Sequence, residues 1–248
     1  MSGPSVSAEE KTKPLVVGME LAYPPFEMTD TAGKPTGVSV DLANALGKSL
    51  GRPVVIENMA FDGLIPALKT GKVDLVISSM TATEERARSI DFSDPYISTG
   101  LCLLLRKDSP AQGIADLDKE GVKVAVKKGT TGHLYATNHL KKAQLLVLDK
   151  ESAAVLEVAQ GKADAFIYDQ MSTYQNWQRN KETTRAILEP FQKESWAVGL
   201  RKGNDELKAG VNRFIKAYRE EGGFEQLGER YFKDMKGEFK RLGSAFFL

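Results

Sequence analysis

Apolar residues occur in short, unalternating runs separated by amphipathic stretches. The runs at 15–19, 54–57, 75–78, 101–106, 122–126, 144–148, 165–168 and 196–201 are rich in Val, Ile and Leu. Runs of that length without strict alternation predict strands buried on both faces. Between them the spacing turns helical. Leu42, Ala45, Leu46 and Leu50 follow Asp41 as a helix cap, and Leu64, Ile65 and Leu68 mark a second helix. Ala154, Val155 and Val158 mark a third, and the longest starts near Asp205 with Leu207, Val211, Phe214, Ile215 and Tyr218 on one face. Gly222-Gly223 stops it, and Phe224, Leu227 and Tyr231 begin another. Alternation of strand and helix predicts an α/β fold with largely parallel sheets.

One segment is echoed. Residues 68–77, Leu-Lys-Thr-Gly-Lys-Val-Asp-Leu-Val-Ile, resemble 158–167, Val-Ala-Gln-Gly-Lys-Ala-Asp-Ala-Phe-Ile. Each reads as a helix end, a glycine stop and a buried strand. The chain either builds a similar α/β unit twice or uses a common helix-to-strand connection twice. The runs at 101–107 and 196–201 each lead into a polar stretch and read as crossings. They predict a discontinuous first lobe, 1–104 plus 201–248, and a second lobe, 105–200.

Composition narrows the picture. In 248 residues, 34 Lys and Arg oppose 33 Asp and Glu, a net charge near +1. That balance gives no broad footprint for nucleic acid. The single Cys102 excludes an internal disulfide and a Cys-rich zinc site. No run approaches the ~20 apolar residues of a membrane-spanning helix. The polar opening segment lacks a hydrophobic signal core and reads as a tail; if the natural protein is exported, its signal peptide has been removed or is left out of this sequence.

Candidate chemistry lies just past the predicted strands. In Ser78-Ser79-Met80-Thr81-Ala82-Thr83-Glu84-Glu85-Arg86, a helix-start signature offers the Ser79 and Thr81 hydroxyls, with Arg86 placed to fold back over them. Such a group can grip a carboxylate; it can equally be a capped helix with a solvated arginine. Lys127-Lys128-Gly129-Thr130-Thr131-Gly132-His133 follows another strand and reads as an anion nest offering Thr130 and Thr131, or as a plain turn into a helix. Asp169, just past 165–168, can receive an ammonium group or cap the helix that begins near Met171. Tyr23 and Phe61 can wall a small ligand, with Phe26 as core. Glu20 ends the first strand as a polar selector or a surface carboxylate. Hydrolytic catalysis finds no Gly-x-Ser-x-Gly elbow, and His133 and His139 would not share a helix face.

In order, Val17-Gly-Met-Glu-Leu-Ala-Tyr-Pro-Pro-Phe26, Gly37-Val-Ser-Val-Asp-Leu42, Phe61-Asp-Gly-Leu-Ile-Pro-Ala-Leu68, Gly71-Lys-Val-Asp-Leu-Val-Ile-Ser-Ser-Met-Thr81, Arg86, Ile90-Asp-Phe-Ser-Asp-Pro-Tyr96, Lys128-Gly-Thr-Thr-Gly132 and Gly161-Lys-Ala-Asp-Ala165 resemble the polar amino-acid solute-binding proteins of bacterial ABC importers. The resemblance spans about residues 14–235. It implies the type II periplasmic-binding-protein fold: two Rossmann-like lobes, a two-strand hinge and a ligand cleft between the lobes. It implies that Arg86 grips an α-carboxylate, that Ser79, Thr81 and Thr131 add hydrogen bonds, that Asp169 accepts the α-ammonium, and that Tyr23 and Phe61 flank the side chain. Glu20 matches an acid found in binders of basic amino acids and of glutamine alike, whereas Tyr168, His133 and Tyr135 would favour a small or neutral ligand. The expected protein is a periplasmic or extracellular, membrane-associated monomer. It would capture an amino acid by hinge closure and deliver it to an ABC-transporter permease, with no catalytic residue, metal, cofactor or nucleic-acid partner. The same fold also resembles cyclohexadienyl dehydratase, for which Glu20 or His133 would supply a proton, and the ligand-binding core of glutamate-receptor-like channels, against which the uninterrupted crossings count.

Overall fold

The computed structural model describes residues 13–241; the polar segment through residue 12 and the stretch 242–248 lie outside the described residues. The described chain forms two compact units, one of residues 13–97 and 196–241 and one of residues 98–195. The change of unit falls between Ile97 and Ser98 and again between Ser195 and Trp196.

The first unit opens with β1 (Leu15–Met19), β2 (Ala22–Tyr23), β3 (Glu27–Thr29), β4 (Pro35–Thr36) and α1 (Val38–Leu50). It continues through β5 (Val54–Asn58), a single 3-10 turn at Phe61–Gly63, α2 (Leu64–Thr70), β6 (Leu75–Val76) and α3 (Glu84–Ala87). The long strand β7 (Asp91–Arg106) then carries the chain into the second unit. There β8 (Lys123–Lys127), α4 (Thr131–His139), β9 (Gln144–Leu148), α5 (Glu151–Ala159), β10 (Ala165–Asp169) and α6 (Gln170–Arg179) follow. A second long strand, β11 (Thr184–Leu200), returns to the first unit, which α7 (Asp205–Glu220) and α8 (Gly223–Arg241) complete.

In the first unit β1 lies parallel to both β5 and β6, with Val17 opposite Ile56 and Leu75, and β6 meets the end of β11 antiparallel at Gly199 and Leu200. In the second unit β8 lies parallel to β9 and β10, and β10 meets β7 antiparallel, Asp169 opposite Leu101. β1, β6, β8 and β10 are buried almost throughout, as their unalternating sequences predict; β5 and β9, at the two ends of the strand order, are not, and Val55 and Val147 are 43% and 47% exposed. On β7, Leu101, Leu103 and Leu105 join one core cluster with Val124, Val126 and Ile167, while Cys102 and Leu104 are buried on the other side.

The echoed segments have a common structural cause. Gly71 and Gly161 adopt φ of 77° and 71°, the left-handed turn that a residue with a Cβ enters only at a cost. Three residues past that glycine and directly before the strand begins, the aspartate locks onto the neighbouring parallel strand. Asp74 Oδ2 accepts from Val16 N at 3.0 Å, and Asp164 Oδ2 accepts from Lys123 N at 2.8 Å. The backbone completes each pair: Asp74 N donates to Val16 O and Asp164 N to Lys123 O, both at 2.8 Å. Each unit therefore uses Gly-Lys-x-Asp to start a strand in register.

Three expectations change. Asp41 does not cap α1. The helix begins after Gly37, and its first amides are taken by backbone carbonyls, Val38 N by Pro25 O and Ser39 N by Phe26 O. Asp41 instead accepts from Tyr231 Oη at 2.8 Å and pairs with Arg230 at 2.9 Å, tying α1 to α8. The predicted strands at 101–106 and 196–201 are the apolar ends of much longer strands, whose other halves carry polar residues such as Ser93, Asp94, Lys193 and Glu194. The small antiparallel sheet β2-β3-β4 was not predicted, because strands of two or three residues carry no readable period.

Candidate functional site

The candidate residues fall into two groups, one per unit. In the first unit they lie past the carboxyl ends of parallel strands, the edge at which ligands collect in such sheets. Glu20 follows β1, Phe61 follows β5, and Ser79 and Thr81 follow β6. Cross-links hold these ends together: Glu20 N donates to Ser78 Oγ at 3.0 Å, Leu21 N to Asn58 Oδ1 at 3.0 Å, and Met59 N to Met19 O at 3.0 Å.

Thr83 caps α3, accepting from Arg86 N at 3.2 Å, so the helix-start signature is real but its cap lies two residues past Thr81 and four past Ser79. The arginine is not a solvated end of that helix. It is 6% exposed, its Nη1 donates to Thr81 O at 2.7 Å, and its Cζ stands 5.6 Å from the centre of the Phe61 ring. Burying a guanidinium costs several kcal/mol unless partners compensate. A carbonyl and an aromatic face give it position. Arg86, Thr81 and Phe61 are thus one cluster.

Ser79 has φ of 49° and is the only non-glycine residue with positive φ among the described residues. Its hydroxyl donates to Glu27 Oε2 at 3.1 Å. Glu27 is buried on β3 and also accepts from Ser39 and Ser78. Burial, and then the charge of Glu27, raises the hydroxyl pKa of the neighbouring Tyr96, partly offset by a backbone hydrogen bond with Ser79. Tyr23 is buried and stacked on Phe26 at 5.2 Å, with Trp196 edge-on to both. Phe26 also packs on Phe232 at 5.3 Å, so the expected core role of Phe26 is met, and Tyr23 leans on the same core.

In the second unit the Lys127–His133 loop joins β8 to α4. Thr130 is the helix cap, accepting from His133 N at 3.3 Å and donating to Lys127 O at 2.7 Å. Its hydroxyl is thereby committed to the turn. Thr131, the first residue of α4, donates instead to Glu194 Oε2 at 3.0 Å. His133 Nδ1 accepts from Gly129 N at 3.2 Å, closing the loop on itself. Tyr135 packs between His139 and Phe191 rather than beside the loop. Asp169 ends β10 and does cap α6, its Oδ1 accepting from Ser172 N at 3.0 Å; it is 7% exposed. Tyr168 is buried and stacked on Phe166 at 5.1 Å.

Sequence reasoning missed Glu27, Tyr96 and Glu194. An acid inside a short strand reads as a solvated position, and the quoted Tyr23-Pro-Pro-Phe26 motif stops one residue short of it. Among the described residues no group of three or more His, Cys, Asp or Glu is placed to hold a metal ion, and no helix is long and apolar enough to cross a membrane.

Two α/β units, linked by strands and each carrying polar residues past its sheet, define a solute-binding protein. The profile of bacterial extracellular solute-binding proteins, family 3, matches residues 15–234, and the chain belongs to that family. The L-arginine-binding protein of Pseudomonas aeruginosa is 32% identical over 94% of this chain and 92% of its own length. Among solved structures, an ancestral arginine-binding protein bound to arginine is 35% identical with a TM-score of 0.82, over 90% of this chain and 98% of that one. The ancestral amino acid-binding protein AncCDT-1, described as a precursor of cyclohexadienyl dehydratase, is 37% identical with a TM-score of 0.81, over 90% and 96%. The fold is accordingly the type II periplasmic-binding-protein fold.

Proposed function

We infer that the chain captures a basic L-amino acid outside the cytoplasm, arginine foremost, and hands it to the permease of an ABC importer as a monomer without transforming it. The buried Arg86, fixed by Thr81 and Phe61, is the observation that carries this reading. In it Arg86 takes the α-carboxylate, Asp169 and the hydroxyls of Ser79 and Thr131 take the α-ammonium, Phe61 and Tyr23 flank the aliphatic stem, and Glu20 meets the distal cation. The named ligand of the Pseudomonas aeruginosa relative and of one solved neighbour supports the choice of arginine.

Physical chemistry explains why both units would take part. A zwitterion leaving water needs an opposite charge and hydrogen bonds at each end. Micromolar binding takes about −8 kcal/mol, a high yield for about a dozen heavy atoms. Residues of both units are needed to line so small a molecule, and bending within β7 and β11 is the motion proposed to bring them to it.

Titration calorimetry of Arg86→Ala tests the reading. Loss of the buried cation leaves a carboxylate uncompensated, so L-arginine affinity should fall by at least about 100-fold while the circular-dichroism spectrum is kept. Unchanged affinity would remove Arg86 from the site. A second reading, dehydration of a prephenate-like acid, is favoured only by the description of AncCDT-1 as a dehydratase precursor. Incubation with prephenate and arogenate should release no carbon dioxide; release at a rate proportional to enzyme would replace binding by catalysis.

A further inference from the structure

Two buried carboxylates stand behind the hydroxyls of the candidate site. Glu27, 1% exposed, accepts from Ser39 Oγ at 2.6 Å, Ser79 Oγ at 3.1 Å and Ser78 Oγ at 3.3 Å. Glu194, 8% exposed, accepts from Thr131 Oγ1 at 3.0 Å on one oxygen and from Gln192 Nε2 at 3.0 Å on the other. A hydroxyl has one proton and two lone pairs, whereas a carboxylate only accepts. The proton of Ser79 is therefore committed to Glu27, and that of Thr131 to Glu194. What each hydroxyl can offer to anything else is a lone pair. The commitment is firm, because a hydrogen bond to an ionised acceptor is about twice as strong as a neutral one and is strengthened by burial. Ser79 is further held in a conformation that a non-glycine residue keeps only when its surroundings impose it.

We propose that Glu27 and Glu194 set the ligand specificity of this protein by fixing Ser79 and Thr131 as hydrogen-bond acceptors, so that the site selects a molecule bringing N–H donors to those two points and rejects one bringing only acceptors. The inference rests on the assignment of Ser79 and Thr131 to the amino-acid site. It divides recognition by polarity: the guanidinium of Arg86 serves the carboxylate end, and the two hydroxyls serve the nitrogen end together with Asp169. Neither glutamate touches the ligand; both are positioning residues. A glutamine at 194 keeps its oxygen toward Gln192 and turns its NH2 toward Thr131, which releases the Thr131 proton outward. A glutamine at 27 whose NH2 stands in place of Oε2 does the same for Ser79 and Ser39, and its oxygen keeps the bond from Ser78.

The test compares L-arginine with its 2-oxo acid, in which a carbonyl that only accepts replaces the ammonium. Calorimetric Kd values are measured for the wild type, Glu194→Gln, Glu27→Gln, and each of these in a Thr131→Ala or Ser79→Ala background respectively. The preference for L-arginine over the oxo acid should fall about tenfold in Glu194→Gln and in Glu27→Gln, and should fall no further when the partner hydroxyl is already gone. A merely structural glutamate would weaken both molecules alike and leave the preference intact. If one glutamine variant loses its fold by circular dichroism, the other decides the matter. A full wild-type preference in a folded glutamine variant, or an equal fall with the hydroxyl absent, overturns the proposal. If Arg86→Ala meanwhile abolishes binding, only this inference is lost; if wild-type protein ignores L-arginine, or Arg86→Ala binds it normally, the binding reading falls and takes this one with it.

Discussion

Cys102 is the chain's single thiol and is fully buried on β7. Burial raises its pKa, and the charges of Asp169, Glu189 and Glu194 push the same way. With the folded value raised, the unfolded chain loses the thiol proton first. Stability is complete below the ordinary thiol value near 8.5 and declines above it, by up to about 1.4 kcal/mol per pH unit. Tyr96, raised by burial and then by Glu27, adds a loss of the same sign above about pH 10. Urea midpoints should therefore drop between pH 8 and 10, and Cys102→Ala should flatten that drop while running parallel to the wild type below pH 8. Residues of the candidate site were legible where position alone decides their setting. Phe61 and Thr81 follow apolar strands, and a helix start leading to Arg86 can be read from Thr83-Glu84-Glu85. Glu27 was not legible, because the serines that surround it come from 12, 51 and 52 positions away. Thr130 and Thr131 look equivalent in sequence, and only the register of α4 makes the first a cap and the second a partner of Glu194.

Elements were legible where their period is long enough to show. The parallel strands and the faces of α1 and α7 follow directly from apolar spacing. The polar halves of β7 and β11 hid from the same reasoning, and the predicted lobe boundaries, after 104 and after 200, lie further along those two strands than the points where the units divide. The echoed connection is the clearest link from sequence to energetics. Asp74 and Asp164 each hold a backbone amide that starts a neighbouring strand, and Asp74 also meets Arg52 at 3.3 Å. Removing a carboxylate that a buried amide depends on costs about 1–3 kcal/mol, and less where water can replace it. The Val16 amide is half-buried and the Lys123 bond is exposed, so Asp74→Ala should lower denaturant stability by about 1 kcal/mol and Asp164→Ala by less, with asparagine at either place recovering part of it. A neutral effect of both would mean that the strands find register without the lock.

At the scale of the molecule, the proposed site draws on both units, and that has a measurable signature. Cys102 lies in the second unit and Arg86 in the first. Amino acid at ten times Kd should slow thiol labelling of Cys102 through global opening about tenfold. Arg86→Ala should abolish that protection, although it alters a different unit. Protection that survives Arg86→Ala would confine binding to the second unit. The aromatic cluster of Phe26, Trp196 and Phe232 has a last consequence. Its members come from the two extremities of the polypeptide, whereas residues 98–195 are contiguous. As the chain emerges from a ribosome or a translocation pore, the contiguous part has all its strands before Phe26 has met either partner. The amino-terminal third must wait until the final segments arrive before this cluster can close.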